Sequence, residues 1–118
     1  MTDIKDFVTL LFEIEYVSHI KHLQTQSFAQ HMALGGLYEG IVGHRDSYIE
    51  SYQGKYGIIN GYKVVSPRED MDILSYLKAC TTKIEAYREK VTDGYLQQII
   101  DDILELIYST TYKLRFLK

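Results

Sequence analysis

Residues 22–50 read HLQTQSFAQHMALGGLYEGIVGHRDSYIE, and they decide the fold that we predict for this 118-residue chain. Ser27 is a good N-cap residue and Gln30 stands three positions later, which is the capping-box pattern of a helix start. The rest of the stretch contains no proline. We therefore predict one long helix, helix 2, over residues 27–53, which follows a turn at residues 24–26.

Helix 2 has two different sides when its residues are placed at about 100° intervals. One side is an apolar stripe of the kind that faces a core. Its members are Leu34, Leu37, Tyr38, Ile41, Val42, Tyr48, Ile49 and Tyr52, with Arg45 among them. The opposite side carries Gly35, Gly36, Gly40 and Gly43, together with Glu39, Asp46, Ser47 and Glu50, and with His31 at its edge. Each glycine costs a helix roughly 1 kcal/mol relative to alanine, and glycine is tolerated where another backbone comes close.

The polar groups on the glycine side suggest a metal site that two chains share. His31 and Asp46 are 15 residues apart, or about 22 Å along a helix, so they cannot hold one ion within one chain. An antiparallel copy of helix 2, with a two-fold axis near Gly40, would set His31 of one chain beside Asp46 and Glu50 of the other. A two-fold contact makes each site twice. Imidazole with carboxylates suits iron, zinc or manganese, and the Asp–x3–Glu spacing puts both acids on one helix face.

A family resemblance points to the same residues. The pattern of His22, Ser27-Phe28, His31, Asp46 and Glu50 resembles the Dps (DNA-binding protein from starved cells) branch of the ferritin-like superfamily. The phrase KHLQTQSFAQHMALGGLYEG is similar to small Dps-like proteins of tailed phages. The resemblance covers roughly residues 10–54. It implies a ferroxidase centre in which two histidines of one subunit face the Asp–x3–Glu pair of its two-fold mate.

Helix 1 offers two further candidates for this site. His19 lies 12 residues before His31, which is the spacing of the larger Dps proteins, whereas His22 lies nine before it. We favour His22 because the local sequence is similar to the phage proteins. Glu15 precedes His19 by one helical turn and His22 by two, so it is a candidate extra ligand or a partner for a ligating imidazole. The alternative for Glu15 is a solvated ion pair with His19.

Three more helices are expected from apolar residues that recur at spacings of three and four. Helix 1 covers residues 3–23. Helix 3 covers residues 66–92 and opens on the sequence SPRE, a capping box with proline at the first helical position. Helix 4 covers residues 95–116, after the Asp93-Gly94 break.

The connection between helices 2 and 3 is the longest in the chain. Gly54 is expected to stop helix 2, and Asn60-Gly61 between short β-prone runs is a hairpin signal. We therefore expect an extended crossover or a small hairpin over residues 54–66. The predicted fold class is all-α, a ferritin-like four-helix bundle with a longer crossover between helices 2 and 3. The whole chain, 1–118, is expected to form a single domain.

Three other residues on helices 2 and 3 carry structural predictions. Arg45 interrupts the apolar stripe, and we expect it to reach an acid on another helix, such as Asp101, Asp102 or Glu105. His44, beside it, is expected at the surface. Cys80 lies in the middle of helix 3 and is expected to pack in the core or an interface.

Composition limits the classes of function. The net charge is −3, so we expect no nucleic-acid partner, because such proteins show a basic patch. One cysteine fits a reducing cytosol, and acids interrupt the N-terminal apolar run, so neither a signal peptide nor a membrane partner is expected. We therefore expect the protein in the cytoplasm, including that of a phage-infected cell, or in a virion.

The functional expectation is an iron-binding homo-oligomer with ferroxidase activity, that is, oxidation of Fe(II). The dimer would be the unit, and a dodecamer would form a storage cage. The chain contains no Glu–x–x–His sequence, which excludes the di-iron centre that is built inside a bundle from that motif. The alternative is a non-enzymatic helical oligomerisation protein, or a phage structural or accessory protein, that keeps the dimer contact alone.

Overall fold

The computed structural model describes residues 3–65 and 70–118, and every regular element in them is an α-helix. The helices are α1 (Ile4–Gln24), α2 (Phe28–Tyr56), α3 (Ile73–Arg88) and α4 (Gly94–Phe116). None of the helices in this part of the chain is both long and apolar enough to cross a lipid bilayer. The predicted all-α class is confirmed.

The four helices form a bundle in which each one has two neighbours. α1 packs against α2 and α3, and α4 packs against the same two helices. Lys55 pairs with Asp93, so the C-terminal end of α2 meets the N-terminal end of α4 and these helices are antiparallel. The phenol oxygens of Tyr48 and Tyr87 lie 3.1 Å apart, which brings the C-terminal halves of α2 and α3 together. α2 and α3 are therefore parallel at opposite corners, as the predicted bundle with one crossover requires.

The crossover begins after α2 and follows the outer side of α1. Ile59 is buried, with 6% of its surface exposed. Lys63 forms an ion pair with Asp6, and the Tyr62 ring meets the Phe12 ring edge-on at 6.2 Å. Residues 57–65 contain no strand, so the extended form of the predicted connection is correct and the hairpin is wrong over this range.

The end of α2 lies beyond the predicted stop. Gly54 is inside the helix, exposed, with open space where a Cβ would stand. The helix instead continues to Tyr56 and is capped at Gly57, which has φ of 97° and donates its N–H to the Gln53 carbonyl at 2.9 Å. Gly57 is the residue that must be glycine here, since other residues rarely adopt that backbone region.

The third helix is shorter than predicted at both ends. It begins at Ile73, where Asp72 caps it by accepting the Ser75 N–H at 2.9 Å. The capping box predicted at residues 66–69 lies outside the described residues. The helix ends at Arg88 because the N–H groups of the next residues turn back to nearby carbonyls, as in the 3.1 Å bond from Val91 N to Arg88 O.

The core lies where the four apolar stripes meet. Most of the predicted α2 stripe is buried there, whereas three of its members are only half-buried: Tyr38, Val42 and Tyr52. Phe7 of α1 stacks on Tyr87 with a centroid distance of 4.3 Å and meets Tyr48 edge-on at 4.9 Å. Burial raises the pKa of the Tyr48 phenol above its ordinary value, with the Tyr87 hydrogen bond as the second cause. Buried apolar residues from every helix complete this core: Leu11, Ile14, Leu34, Leu37, Ile41, Leu77, Ile84, Leu96, Ile100 and Ile103.

Candidate functional site

The candidate site begins at the tight turn between α1 and α2. Ser27 caps α2 by accepting the Gln30 N–H at 3.3 Å, as the capping box predicts. The Gln30 side chain bonds the Thr25 hydroxyl at 2.7 Å, and that hydroxyl also accepts the Ser27 N–H at 3.1 Å. The short turn brings the last residues of α1 against the first turn of α2, where the two predicted histidine ligands lie.

His22 and His31 face each other across this turn. Their rings are stacked with centroids 3.7 Å apart and planes 19° apart. His22 Nδ1 lies 2.5 Å from the His31 carbonyl oxygen, and His31 Nδ1 lies 2.9 Å from the His22 carbonyl oxygen. A carbonyl oxygen only accepts, so each Nδ1 carries the hydrogen and donates it. In a neutral imidazole the remaining nitrogen, Nε2, then holds the free lone pair.

Two more rings extend this pair into a row. Tyr38 lies 5.2 Å from His22 and 4.0 Å from His19, measured between ring centroids. His19 itself is exposed and lies 6.1 Å from His22. Gly35 makes room for the row, because a Cβ there would stand 3.1 Å from His22 Cε1. The structure thus groups His19, His22 and His31 at one end of the bundle.

The stacked pair does not enclose a single ion within one chain. A metal bound by imidazole lies in the ring plane, about 2.1 Å from the nitrogen. The ring centroids lie 3.7 Å apart and the ring planes are only 19° from parallel, so the two planes meet far beyond that distance. The described residues contain no group of three or more histidine, cysteine, aspartate or glutamate side chains that could hold a metal. Within the described residues, these histidines therefore lack the further ligands that a complete metal site would need.

The predicted acids lie on the same helix, further towards its C-terminus. The Asp46 side chain is 52% exposed and accepts from Arg45 at Oδ1, with Nε and Nη2 both at 3.1 Å. Glu50 is exposed and has no hydrogen-bond or ion-pair partner within residues 3–65 and 70–118. Both acids therefore stay away from the histidines of their own chain, as the helical spacing requires.

Glu15 forms an ion pair with Arg45 of α2. The alternative assignment, a solvated ion pair with His19, is therefore wrong, and the assignment as an extra ligand or as a partner of a ligating imidazole stays a prediction. Arg45 does reach an acid on another helix, as predicted, but that acid is Glu15 and not one of the three examples on α4. Asp101, one of them, instead accepts from Arg88 at 2.6 and 3.0 Å. The rotation of each helix about its axis decides which acid lies beside Arg45, and sequence periodicity does not define it closely enough.

Four of the five glycines of α2, those between residues 35 and 43, fall into two classes. Gly35 and Gly40 accommodate groups of their own chain, since a Cβ at Gly40 would stand 2.7 Å from Leu106 Cδ2. Gly36 and Gly43 are exposed, and nothing lies within 4 Å of a Cβ built there. Only the second class remains available for contact with another molecule.

These open glycines belong to an outward stripe that we call the α2 outer face. Its members are Phe28, Met32, Gly36, Glu39, Gly43, Asp46 and Glu50, all of them exposed. Phe28 is 76% exposed and Met32 59% exposed. The face is apolar near the histidines and acidic near its other end, with Gly36, Glu39 and Gly43 at its centre.

Sequence reasoning missed two features of the site. Tyr38 was assigned to the core, although its ring packs between His19 and His22. Its position seven residues after His31, two turns along the same helix, is a signal that could have placed it beside the histidines. The contact between Arg45 and Asp46 was also missed, and their adjacency in sequence was the available signal.

Comparisons with known proteins place the chain in one family. The family of unknown function DUF5856 matches residues 22–114, well over half of the chain. The matched range includes His22, His31, Asp46 and Glu50, and it leaves out Glu15 and His19. No curated protein and no solved structure matches the chain. The chain belongs to the family of unknown function DUF5856.

Proposed function

We propose that the protein is a Dps-like homodimer, or a larger oligomer of dimers, that binds Fe(II) at sites shared between subunits and oxidises it there. The observation that carries the proposal is the histidine pair. Both Nδ1–H groups are tied to backbone carbonyls, so that each Nε2 is left as a ligand of fixed tautomer. Ligating histidines usually donate their other N–H in this way.

The acid half of the proposed site comes from Asp46 and Glu50 of the partner subunit. Asp46 keeps Oδ2 without a hydrogen bond inside the described part of the chain, and Glu50 keeps its whole carboxylate. Gly36 and Gly43 have no side chains that would project from the α2 outer face between its two ends. A second α2 lying antiparallel on this face would bring histidines of one chain to acids of the other.

The chemistry expected there follows from the donors. Imidazole and carboxylate ligands with open coordination positions allow iron to meet an oxidant such as oxygen or peroxide. Fe(II) is the substrate in this proposal, and the same donors also suit zinc or manganese. A closed dodecamer would add storage of the oxidised iron, whereas a plain dimer would not.

The test exploits the division of the site between two chains. Two variants, His31→Ala and Asp46→Asn, should each lose Fe(II) oxidation while remaining dimeric. When the two are co-refolded in equal amounts, half of the dimers are mixed, and each mixed dimer regains one intact site out of two. About a quarter of the wild-type activity should therefore return. A site built within one chain would regain none.

His44→Ala is the matched control, because it removes a histidine from the same helix outside the α2 outer face. It should oxidise Fe(II) at the wild-type rate. Equal activity of all variants, or the absence of activity in the wild type, would contradict the proposal. A stable dimer that binds no iron would instead support the assembly function, in which Phe28 and Met32 of the exposed face serve packing alone.

A further inference from the structure

We infer that Arg45 is a positioning residue of the proposed iron site, which holds Asp46 by one carboxylate oxygen and leaves the other oxygen for the metal. The inference rests on the proposed function and deepens it. Arg45 itself does not touch the metal in this scheme. Its role is to fix the direction of a ligand that would otherwise move freely at the surface.

The contacts of Arg45 fix its guanidinium group on three sides. Only 7% of Arg45 is exposed. Its guanidinium carbon lies 4.0 Å from the centroid of the Phe12 ring, a cation–π contact. Nη1 pairs with Glu15, while Nε and Nη2 both reach Asp46 Oδ1 at 3.1 Å. Phe12 and Glu15 belong to α1, so the packing of α1 on α2 sets where the guanidinium lies.

This arrangement gives the two carboxylate oxygens of Asp46 different environments. Neighbouring residues of a helix do not normally face each other, so the Arg45–Asp46 contact depends on the anchoring by α1. Oδ1 accepts the Nε–H of Arg45 and lies 3.1 Å from Nη2 in the ion pair, and Oδ2 receives no hydrogen bond from the described residues. The side chain of Asp46 is half exposed, and without Arg45 nothing else in the described chain would hold it.

Charge and positioning predict opposite effects when Arg45 is removed. A guanidinium cation near a bound metal cation repels it, so charge alone predicts tighter metal binding without Arg45. Loss of positioning predicts weaker binding, since groups that orient a metal ligand are typically worth 10- to 100-fold in affinity. Variants that leave the net charge near the site unchanged therefore isolate the loss of positioning.

The experiment is an anaerobic Fe(II) titration of the full-length protein. The first variant is Glu15→Gln with Arg45→Met, which removes the Arg45–Glu15 ion pair as a unit and leaves only the half-exposed Asp46 without its guanidinium partner. The second is Arg45→Lys, which keeps the charge but loses the planar fork. We expect Fe(II) affinity to fall about tenfold or more in both. Solution mass and thermal midpoint confirm that each sample is a folded dimer.

Arg88→Met is the matched control, because it breaks an arginine–aspartate pair between α3 and α4 away from the site. Its Fe(II) affinity should equal that of the wild type. Unchanged or tighter binding by folded Glu15→Gln/Arg45→Met would overturn the inference for Arg45 alone. A wild-type protein that does not bind Fe(II) would overturn the proposed function, and this inference with it.

Discussion

Gly40 of α2 and Leu106 of α4 approach so closely that a Cβ on residue 40 would stand 2.7 Å from Leu106 Cδ2. Gly43, one turn later on the same helix, has open space at the same position. Glycine therefore occurs at these two positions, on one side of a helix, for different physical reasons. Gly40 permits the packing of α4 in the same chain, and Gly43 leaves the α2 outer face without a projecting side chain at that position.

The contact predicts that Gly40→Ala destabilises the fold. Alanine gains about 1 kcal/mol of helix propensity, but Leu106 must then move within packed surroundings, which typically costs 1–3 kcal/mol. We expect Gly40→Ala to be less stable to urea than Gly43→Ala by about 1 kcal/mol or more. A double-mutant cycle with Leu106→Ala should show a coupling that relieves the clash. Equal stability of the two alanine variants would mean that Leu106 adjusts freely.

Gly43→Ala should raise the stability of the folded chain and weaken its dimer. The substitution gains up to about 1 kcal/mol of helix propensity, with no clash inside the chain. In the proposed dimer the added methyl group holds the two α2 helices apart. Urea unfolding of dilute protein measures the first effect, and the concentration dependence of solution mass measures the second. Stronger dimerisation of Gly43→Ala would contradict the proposed contact.

The reciprocal histidine bonds predict coupled losses of stability. His22→Ala and His31→Ala each remove one hydrogen bond and the ring contact, so we expect each to lose about 1–2 kcal/mol. The double variant should lose less than the sum, because either single variant already breaks the stack. The measurement is the urea midpoint at constant m-value. His44→Ala, as the control, should stay within about 0.5 kcal/mol of the wild type.

Asp93 should make the stability sensitive to acid. Its hydrogen bonds to Lys55 and then to Tyr56 lower the pKa of its carboxyl below the usual 3.8. A carboxyl group whose pKa is lower when folded stabilises the fold above the unfolded pKa, and this contribution disappears as the pH falls through the folded value. Asp93→Asn should therefore flatten the fall of urea stability below about pH 4. Lys55→Met should flatten it partly, and pH profiles identical to the wild type would refute the assignment.

Cys80 should be inert to thiol reagents until the bundle opens. It is 2% exposed, and burial raises the pKa of its thiol to about 12. The thiolate is the reactive form, so labelling of native protein near pH 8 should be slow. Labelling in urea should follow the unfolding transition measured by circular dichroism. Rapid labelling without denaturant would show that α3 separates from the core in the native state.

The fold was predictable from the sequence because the apolar stripes of α1, α2 and α4 are long and regular. The ends of the helices were less predictable. Gly54 resembles a stop signal, yet it faces open solvent inside α2, and the true cap is Gly57. Asp72 caps the start of α3, although the sequence has a stronger capping signal upstream, at residues 66–69. Neither error is visible in periodicity, because a helix end depends on where the chain must turn to meet its neighbours.

The candidate site was predictable only in part for a related reason. The positions of His22, His31, Asp46 and Glu50 along the chain follow from helical spacing. The stacking of the two rings does not, since it depends on the angle between α1 and α2 at a three-residue turn. The partner of Arg45 depends on the same angle, and the sequence contains acids on several helices that could have served.

The crossover has a consequence for how the chain can be divided. It alone joins the α1–α2 hairpin to the α3–α4 hairpin, and residues 60–64 in it are all exposed. The two hairpins bury their apolar sides on each other. A chain that a protease cuts after Lys63 should therefore remain one particle, and two fragments produced separately should reassemble into the native bundle.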